Sequence, residues 1–287
     1  MRNKITEHVF ANHIKPQTYD HLDRAYKLIH KISYQKLNVN VEGCRSLMTS
    51  TADRQDIQKL VKKKSHYVDY NLFGTVTGRL TTHKDSFPVL TMKSRLRSIV
   101  KPTNDWLVSF DYNGAEVRTF LALSGVEQPD EDIHQWNMKH LYGDHPIDRE
   151  EAKVRFFASF YNNEDNSLNN SVYSRERVIG DYFYGDRVET PFKRKIKVDQ
   201  RRAFNYIIQS TTADLTIDRA VELDKILEDT QSHVAFIVHD EIVLDIHEDD
   251  RYLIPELKEV FQNNKLGSFR ANVKAGKNYG ELKELKL

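Results

Sequence analysis

Two apolar runs that each meet a carboxylate constrain this chain more than anything else in it. In LVSFDYNGAEVR (107–118), Asp111 follows Leu107, Val108 and Phe110. In VAFIVHDEIVLDI (234–246), Asp240 and Glu241 sit between the runs AFIV and IVLDI, as at the turn of a hairpin. Asp111 and Asp240 lie 129 positions apart (240 minus 111). Carboxylates presented on rigid strands are the oxygen donors that hard cations take. A pair of such cations can clamp the attacking and leaving oxygens of a phosphoryl transfer.

Helical spacing predicts helices over 17–32, 53–64, 114–124, 132–142, 148–161, 175–184, 199–228 and 251–263. The segment 66–82 is aromatic, β-branched and punctuated by glycine, so it predicts strands and a turn. Residues 162–170 form an Asn-rich polar loop, the basic stretch 187–198 reads as a loop, and a short tail closes the chain. The expected fold class is α+β: a mostly antiparallel sheet carrying Asp111 and the 234–246 hairpin, with an all-helical insertion between them.

The 287 residues suit one large domain or two small lobes. A net charge of +1 neither demands nor excludes nucleic acid, but basic clusters stand at 62–64, 93–97, 193–197 and 201–202. Each of these also reads as a solvated face. The single cysteine, Cys44, excludes an internal disulfide and a cysteine zinc site, and fits a reducing compartment. No apolar run approaches the ~18 residues of a membrane span, and MRNKITEHVF has no signal-peptide core. Together these lead to the expectation of a cytoplasmic chain with no membrane partner.

On the helix at 148–161, Arg149, Lys153, Phe157 and Tyr161 are each four apart and share one face. Two cations followed by two rings suit a nucleotide, the cations meeting the triphosphate and the rings the base. The same spacing suits an amphipathic helix whose aromatics are core. Arg201, Asn205 and Gln209 form a polar stripe that would suit a duplex groove or an exposed face. TVTGRL at 75–80 aims Arg79 from a glycine turn, or is an ordinary turn. DIH at 132–134 is a weak signal alone.

In this order and spacing, the motifs resemble the polymerase module of the family A DNA polymerases, the bacterial repair-polymerase and phage-replicase group. TGRL (77–80) is similar to the family's primer-template motif. DYNGAEVR (111–118) is similar to D-Y-S-Q-I-E-L-R, and DIHQWNMKHLYG (132–143) to its D-I-H segment. R-x3-K-x3-F-x3-Y (149–161) matches its nucleotide helix, RRAFNYIIQSTTADL (201–215) its R-x3-N-x3-Q helix, and VHDE (238–241) its third motif. The likeness covers residues 70 to 287.

The resemblance implies a right-hand polymerase with an antiparallel palm sheet, helical fingers and a reduced or absent thumb. Its divisions would be an N-terminal segment at 1–65 (a small thumb or a docking region), palm at 66–125, fingers at 126–198, and palm again at 199–287. It implies two Mg2+ ions held by Asp111, Asp240 and the Tyr112 carbonyl, with Glu241 auxiliary. Arg149, Lys153 and His134 would meet the triphosphate, and Lys153 would protonate the pyrophosphate. Phe157 would pack on the incoming sugar and base, and Tyr161 would stack on the template side. Arg79, Arg201, Asn205, Gln209 and His239 would hold primer-template DNA. Glu116 would close the pocket beside C2′ and so select deoxynucleotides. Phe157 in place of the alternative Tyr predicts poor use of dideoxynucleotides, a reading that efficient chain termination would oppose.

Departures from the family pattern are Phe156-Phe157-Ala158 in place of Asn-Phe-Gly, Asn162 after the Tyr, and the apolar SFPVLT at 86–91 where primer contacts are usual. About 75 residues precede TGRL, which leaves little room for a full thumb and leads to the expectation of no exonuclease domain. Either the chain is a minimal polymerase or a separate chain supplies these, as in a split viral replicase, and the second is the favoured expectation. A single-subunit RNA polymerase or primase-like enzyme, a non-catalytic DNA-binding subunit and a metal-dependent nuclease are the alternatives.

Overall fold

A computed structural model describes residues 4, 6–8, 11, 14–40, 42–62, 66–143, 147–162, 165, 168, 170 and 172–286. The end of the basic run at 62–64 and part of the Asn-rich loop at 162–170 lie outside these residues.

Helix α1 (Tyr19–Ser33) buries Ala25, Leu28, Ile29 and Ile32, an apolar stripe at helical spacing. Helix α2 (Thr51–Lys62) follows, and a short hairpin pairs Tyr70 and Asn71 with Thr82 and Thr81 around the TGRL turn. Strand β1 (Trp106–Tyr112) runs into a left-handed Gly114 (φ +73°) and then α3 (Ala115–Leu123). Helix α4 (Ile133–Asn137) passes into a π turn over Met138–Tyr142. Helices α5 (Arg149–Tyr161) and α6 (Arg175–Tyr182) come next, then the 27-residue α7 (Gln200–Ile226). Strands β2 (His233–Val238) and β3 (Glu241–Ile246) form the expected hairpin, and α8 (Ile254–Gln262) leads to β4 (Ala271–Gly276) and β5 (Lys283–Glu284).

The five strands make one antiparallel sheet in the order β5-β4-β1-β3-β2. Its register sets Asp111 opposite Glu241 on one side and opposite Asn272 on the other. The strand bearing Asp111 is therefore central and cannot slip by one residue without turning its buried set outward.

Two expectations need correction. The tail is no mere tail, because residues 271–276 pair with residues 107–112 of β1. The segment 187–198 is not simply a loop: Arg187–Glu189 pairs antiparallel with Lys195–Lys197, so the insertion is not all-helical. Val188 and Ile196 face the core there while charged neighbours stay outside.

Two apolar cores share α7. The first joins α1, the sheet, α8 and the C-terminal half of α7, including Leu215, Ile217, Ala220 and Leu223. The second joins α3, α5, α6, the 187–197 hairpin and Ala203, Phe204, Ile207 and Ile208 of α7. In the second core Phe120 lies 4.8 Å from both Tyr173 and Phe204 and 5.9 Å from Phe160, ring centre to ring centre. Each such buried ring contributes roughly 1.5–3 kcal/mol from area alone. The N-terminal helix docks on α7 through Arg24–Glu222 (3.1 Å) and Lys31–Asp224 (2.6 Å). No helix among the described residues is long and apolar enough to cross a membrane.

Candidate active site

The hairpin of β2 and β3 turns through His239 and Asp240. His239 takes φ +58°, the left-handed first position that two-residue hairpin loops favour. Asp240 is thereby fixed at the sheet's end, next in sequence to Glu241, which pairs across to Asp111. Burial raises the Asp111 carboxyl to about 7, the Asp240 and Glu241 charges add to the rise, and Lys274 offsets part of it. Burial also raises Asp240, with the Glu116 charge contributing. Two partly buried carboxylates, both raised by burial and by neighbouring acidic charges, are a donor set that a cation would relieve.

Glu241 stands apart from that pair in its bonding. Ser109 Oγ donates to its Oε1 at 2.5 Å and Tyr279 Oη to its Oε2 at 2.7 Å. Both oxygens are thus engaged by the protein. Among the described residues no group of three or more His, Cys, Asp and Glu side chains is arranged to hold a metal. The expected set of two carboxylates and the Tyr112 carbonyl is smaller than that. The Tyr112 side chain is 2% exposed, stacks on Phe261 at 4.1 Å and donates to the Phe261 carbonyl at 2.6 Å. Any contact between Tyr112 and a ligand therefore runs through its backbone.

Beside the turn lies a cleft of about 390 Å³, lined by Gly78, Arg79, Gly114, Glu116, Phe157, Tyr161, Thr212, Thr216, His239 and Asp240, among others. It brings together six of the residues singled out in the sequence. Helix α5 resolves its own ambiguity here: Phe156 and Phe160 are core, whereas Phe157 and Tyr161 face the cleft, their rings stacked at 5.8 Å. Tyr161 Oη donates to Glu116 Oε2 at 2.7 Å, and Arg79 forms an ion pair with the other oxygen of Glu116. Glu116 so ties the TGRL turn to α5.

Arg149, Lys153 and His134 form a second group outside the lining of that cleft. Asp132 caps α4 by accepting from the His134 and Gln135 amides, and it binds Arg149 through two hydrogen bonds of 3.1 and 2.9 Å. Burial alone would raise Asp132, but the bonds from Arg149 and Asn113 hold it well below the usual carboxylate range. Burial lowers His134 to about 4, and the Arg149 and Lys153 charges push in the same direction. Its Nδ1 is buried without a hydrogen-bond partner among the described residues, and its ring sits 6.0 Å from Phe157. A neutral imidazole with an orphan nitrogen, beside two cations, is an anion-facing arrangement that awaits a donor or acceptor.

Along α7, Arg201 is exposed while Asn205 and Gln209 are half-buried, and the Asn205 Oδ1 lacks a partner among the described residues. Their stripe continues into Thr212 and Thr216 of the cleft wall.

Sequence reading missed the residues that hold these groups in place. Arg118 is fully buried and donates to the carbonyls of Asn113, Pro129 and Glu131, each at 2.8 Å. Asn113 accepts from the Ile133 amide at 2.7 Å and donates to Asp132 at 2.7 Å. Gly114 must lack a side chain, since a Cβ there would stand 2.7 Å from Ile133 Cγ2. Only the placement of Asn113, Gly114 and Arg118 inside DYNGAEVR gave any signal of this.

No family model matches the chain. It is 27% identical over 274 residues to "DNA polymerase I, thermostable" of Thermus filiformis, which covers 72% of this chain and 33% of that protein. It is 28% identical over 273 residues to the protein of the same name from Thermus thermophilus, covering 71% and 33%. The chain spans about a third of the length of the curated relatives it matches. Among solved structures it is similar to the POL domain of Pol1 from M. smegmatis in complex with DNA primer-template and dNTP. The TM-score is 0.59 and the identity 15%, over 92% of this chain and 65% of that one, a likeness of fold. The resemblance to family A DNA polymerases thus rests on sequence as well as on motif order.

Proposed function

We propose that this chain is a polymerase module that adds deoxynucleotides to a primer 3′ end on a DNA template. The observation that carries the reading is one cleft where the Asp240 turn of the sheet meets the Phe157–Tyr161 face of α5. A nuclease has use for the carboxylates but none for the stacked rings and cations of α5.

Asp111 and Asp240, with the Tyr112 carbonyl, would hold two magnesium ions, which supply charge neutralisation and a more acidic primer hydroxyl. The chain's own residues do the rest. Arg149 and Lys153 receive the triphosphate, and Lys153 stands ready to give a proton to the leaving pyrophosphate. His134, neutral by burial, contributes a hydrogen bond rather than a charge. Phe157 offers its face to the base, and Tyr161 holds the template side of the same stack. Glu116 excludes a ribose 2′-hydroxyl by bulk and charge. Arg79, His239 and the Arg201, Asn205, Gln209 stripe bind the primer terminus and its minor groove. Glu241, held by Ser109 and Tyr279, supports the register of the two aspartates.

Primer extension tests this. The chain, a primed DNA template and magnesium are supplied with deoxy- or ribonucleotides, and Asp240→Asn serves as the blank. Templated extension with deoxynucleotides alone, lost in the variant, is the expected result. Extension with ribonucleotides would instead favour an RNA polymerase, and tight duplex binding without extension would favour a non-catalytic subunit.

A further inference from the structure

The turn that carries Arg79 rests on a buried ion pair that lies far from it in sequence. Gly78 adopts φ +78°, a left-handed conformation that side chains rarely take. A Cβ at this position would stand 2.5 Å from Arg194 Nη2 and 2.6 Å from Arg194 Cζ, so the guanidinium lies directly against the turn. Arg194 is not free to withdraw. Its Nε donates to Asp214 Oδ2 at 2.9 Å and its Nη2 to Asp214 Oδ1 at 2.6 Å, a two-bond fork. Asp214 is 1% exposed and Arg194 15%.

Three other segments brace the pair. Asp214 lies in α7, in the core of the molecule. His21 of α1 brings Nε2 to 3.4 Å from Asp214 Oδ1, and its ring packs on Phe192 at 5.4 Å. Arg194 itself sits in the turn of the 187–197 hairpin, where the Thr190 amide donates to the Arg194 carbonyl at 3.0 Å and Lys193 takes φ +64°. On the other side, the turn is closed by the Gly78 amide on the Thr75 carbonyl and by Thr75 Oγ1 on the Arg79 carbonyl at 2.9 Å. The Arg79 side chain then reaches Glu116.

We propose that Arg194, locked by Asp214, is a positioning residue: its planar guanidinium is the platform on which the Gly78 turn lies, and it sets the aim of Arg79 at Glu116 and the primer end. The part concerning the primer rests on the polymerase reading. The part concerning the turn does not. The platform needs a planar fork, because a lysine at 194 keeps the charge beside Asp214 but leaves the turn without a flat support. It also explains why a segment inserted between α6 and α7 carries a hairpin at all: the hairpin delivers one arginine to a turn more than a hundred residues upstream.

The test uses the full chain with Arg194→Lys, Arg79→Ala and the double variant. Arg194→Lys spares Asp214 an unpaired charge, so the variant is expected to fold. Backbone amide exchange over residues 73–82 should quicken about tenfold in Arg194→Lys while β2 and β3 stay unchanged. The KM for primer-template should rise about tenfold with kcat changed less than about threefold. In the Arg79→Ala background the same substitution should add nothing, because the aim it sets is gone. Unchanged exchange over 73–82 would overturn the platform, and so would effects of the two substitutions that multiply. A parent chain that extends no primer would sink the polymerase reading alone, since the exchange measurement still judges the platform. Should Arg194→Lys fail to fold, Asp214→Asn, which keeps the shape at 214 but weakens the fork that locks Arg194, gives the same exchange readout without touching the turn.

Discussion

The sheet end that carries Asp111 and Asp240 and the face of α5 across the cleft are built in opposite ways. Asp111 sits in a strand paired on both sides, and Asp240 in a two-residue turn whose register those strands fix. Backbone ladders hold them, so no single side chain can release them. The working face of α5 is held by side chains alone: Arg149 by Asp132, Tyr161 by Glu116, both at partly exposed contacts. Partly exposed pairs exchange partners at little cost. One half of the cleft is thus fixed by topology, and the other half is retained by contacts that a triphosphate or a base can replace.

The largest expected effect breaks the fixed half chemically without touching its fold. Asp240→Asn should cut primer extension at least about a thousandfold. Its thermal midpoint should stay level or rise, because burial disfavours the charge that is removed. A fallen midpoint would mean that the carboxylate holds the turn together. Next, α5 can be split along its own length. Phe156→Ala removes a fully buried ring and should cost about 3–5 kcal/mol in denaturant unfolding. Phe157→Ala, one position on, should leave stability within about 1 kcal/mol and raise the KM for the incoming nucleotide instead. Equal destabilisation by the two would contradict the division between core and cleft faces. The smallest effect sharpens the contrast: Tyr161→Phe removes one hydrogen bond to Glu116 and should cost no more than about 1 kcal/mol. If the contact is exchangeable, nucleotide KM should fall or stay level, and steady-state kinetics with the Phe variant reads this directly.

What was legible in the sequence follows the same division. The stripe of α1 and the HDE hairpin were plain because local periodicity and local turns specify them. Strand β4 was not. ANVKAG has small residues and a lysine in its middle, and it becomes a strand only because β1 offers an unpaired edge. The 187–197 hairpin was hidden for a related reason, with one buried residue per strand among charges. Spacing placed Phe157 and Tyr161 on the face of Arg149 and Lys153, but only packing could decide that Phe156 and Phe160 were the core. The supports of the site were the least visible. Tyr279 meets Glu241, Ser109 meets the same carboxylate from 132 positions away, and Arg194 meets Gly78, all through contacts without a local pattern.

Helix α7 has a consequence for how the molecule comes apart. At 1.5 Å per residue its 27 residues make a rod of about 40 Å. One end is embedded in each core. Neither core can lose its order without stripping one end of a helix that the other core needs whole, so calorimetry should record a single melting unit. Thr211 is buried at the middle of the rod, where a proline would remove an internal hydrogen bond. Thr211→Pro should therefore do more than weaken the protein: it should divide one melting transition into two.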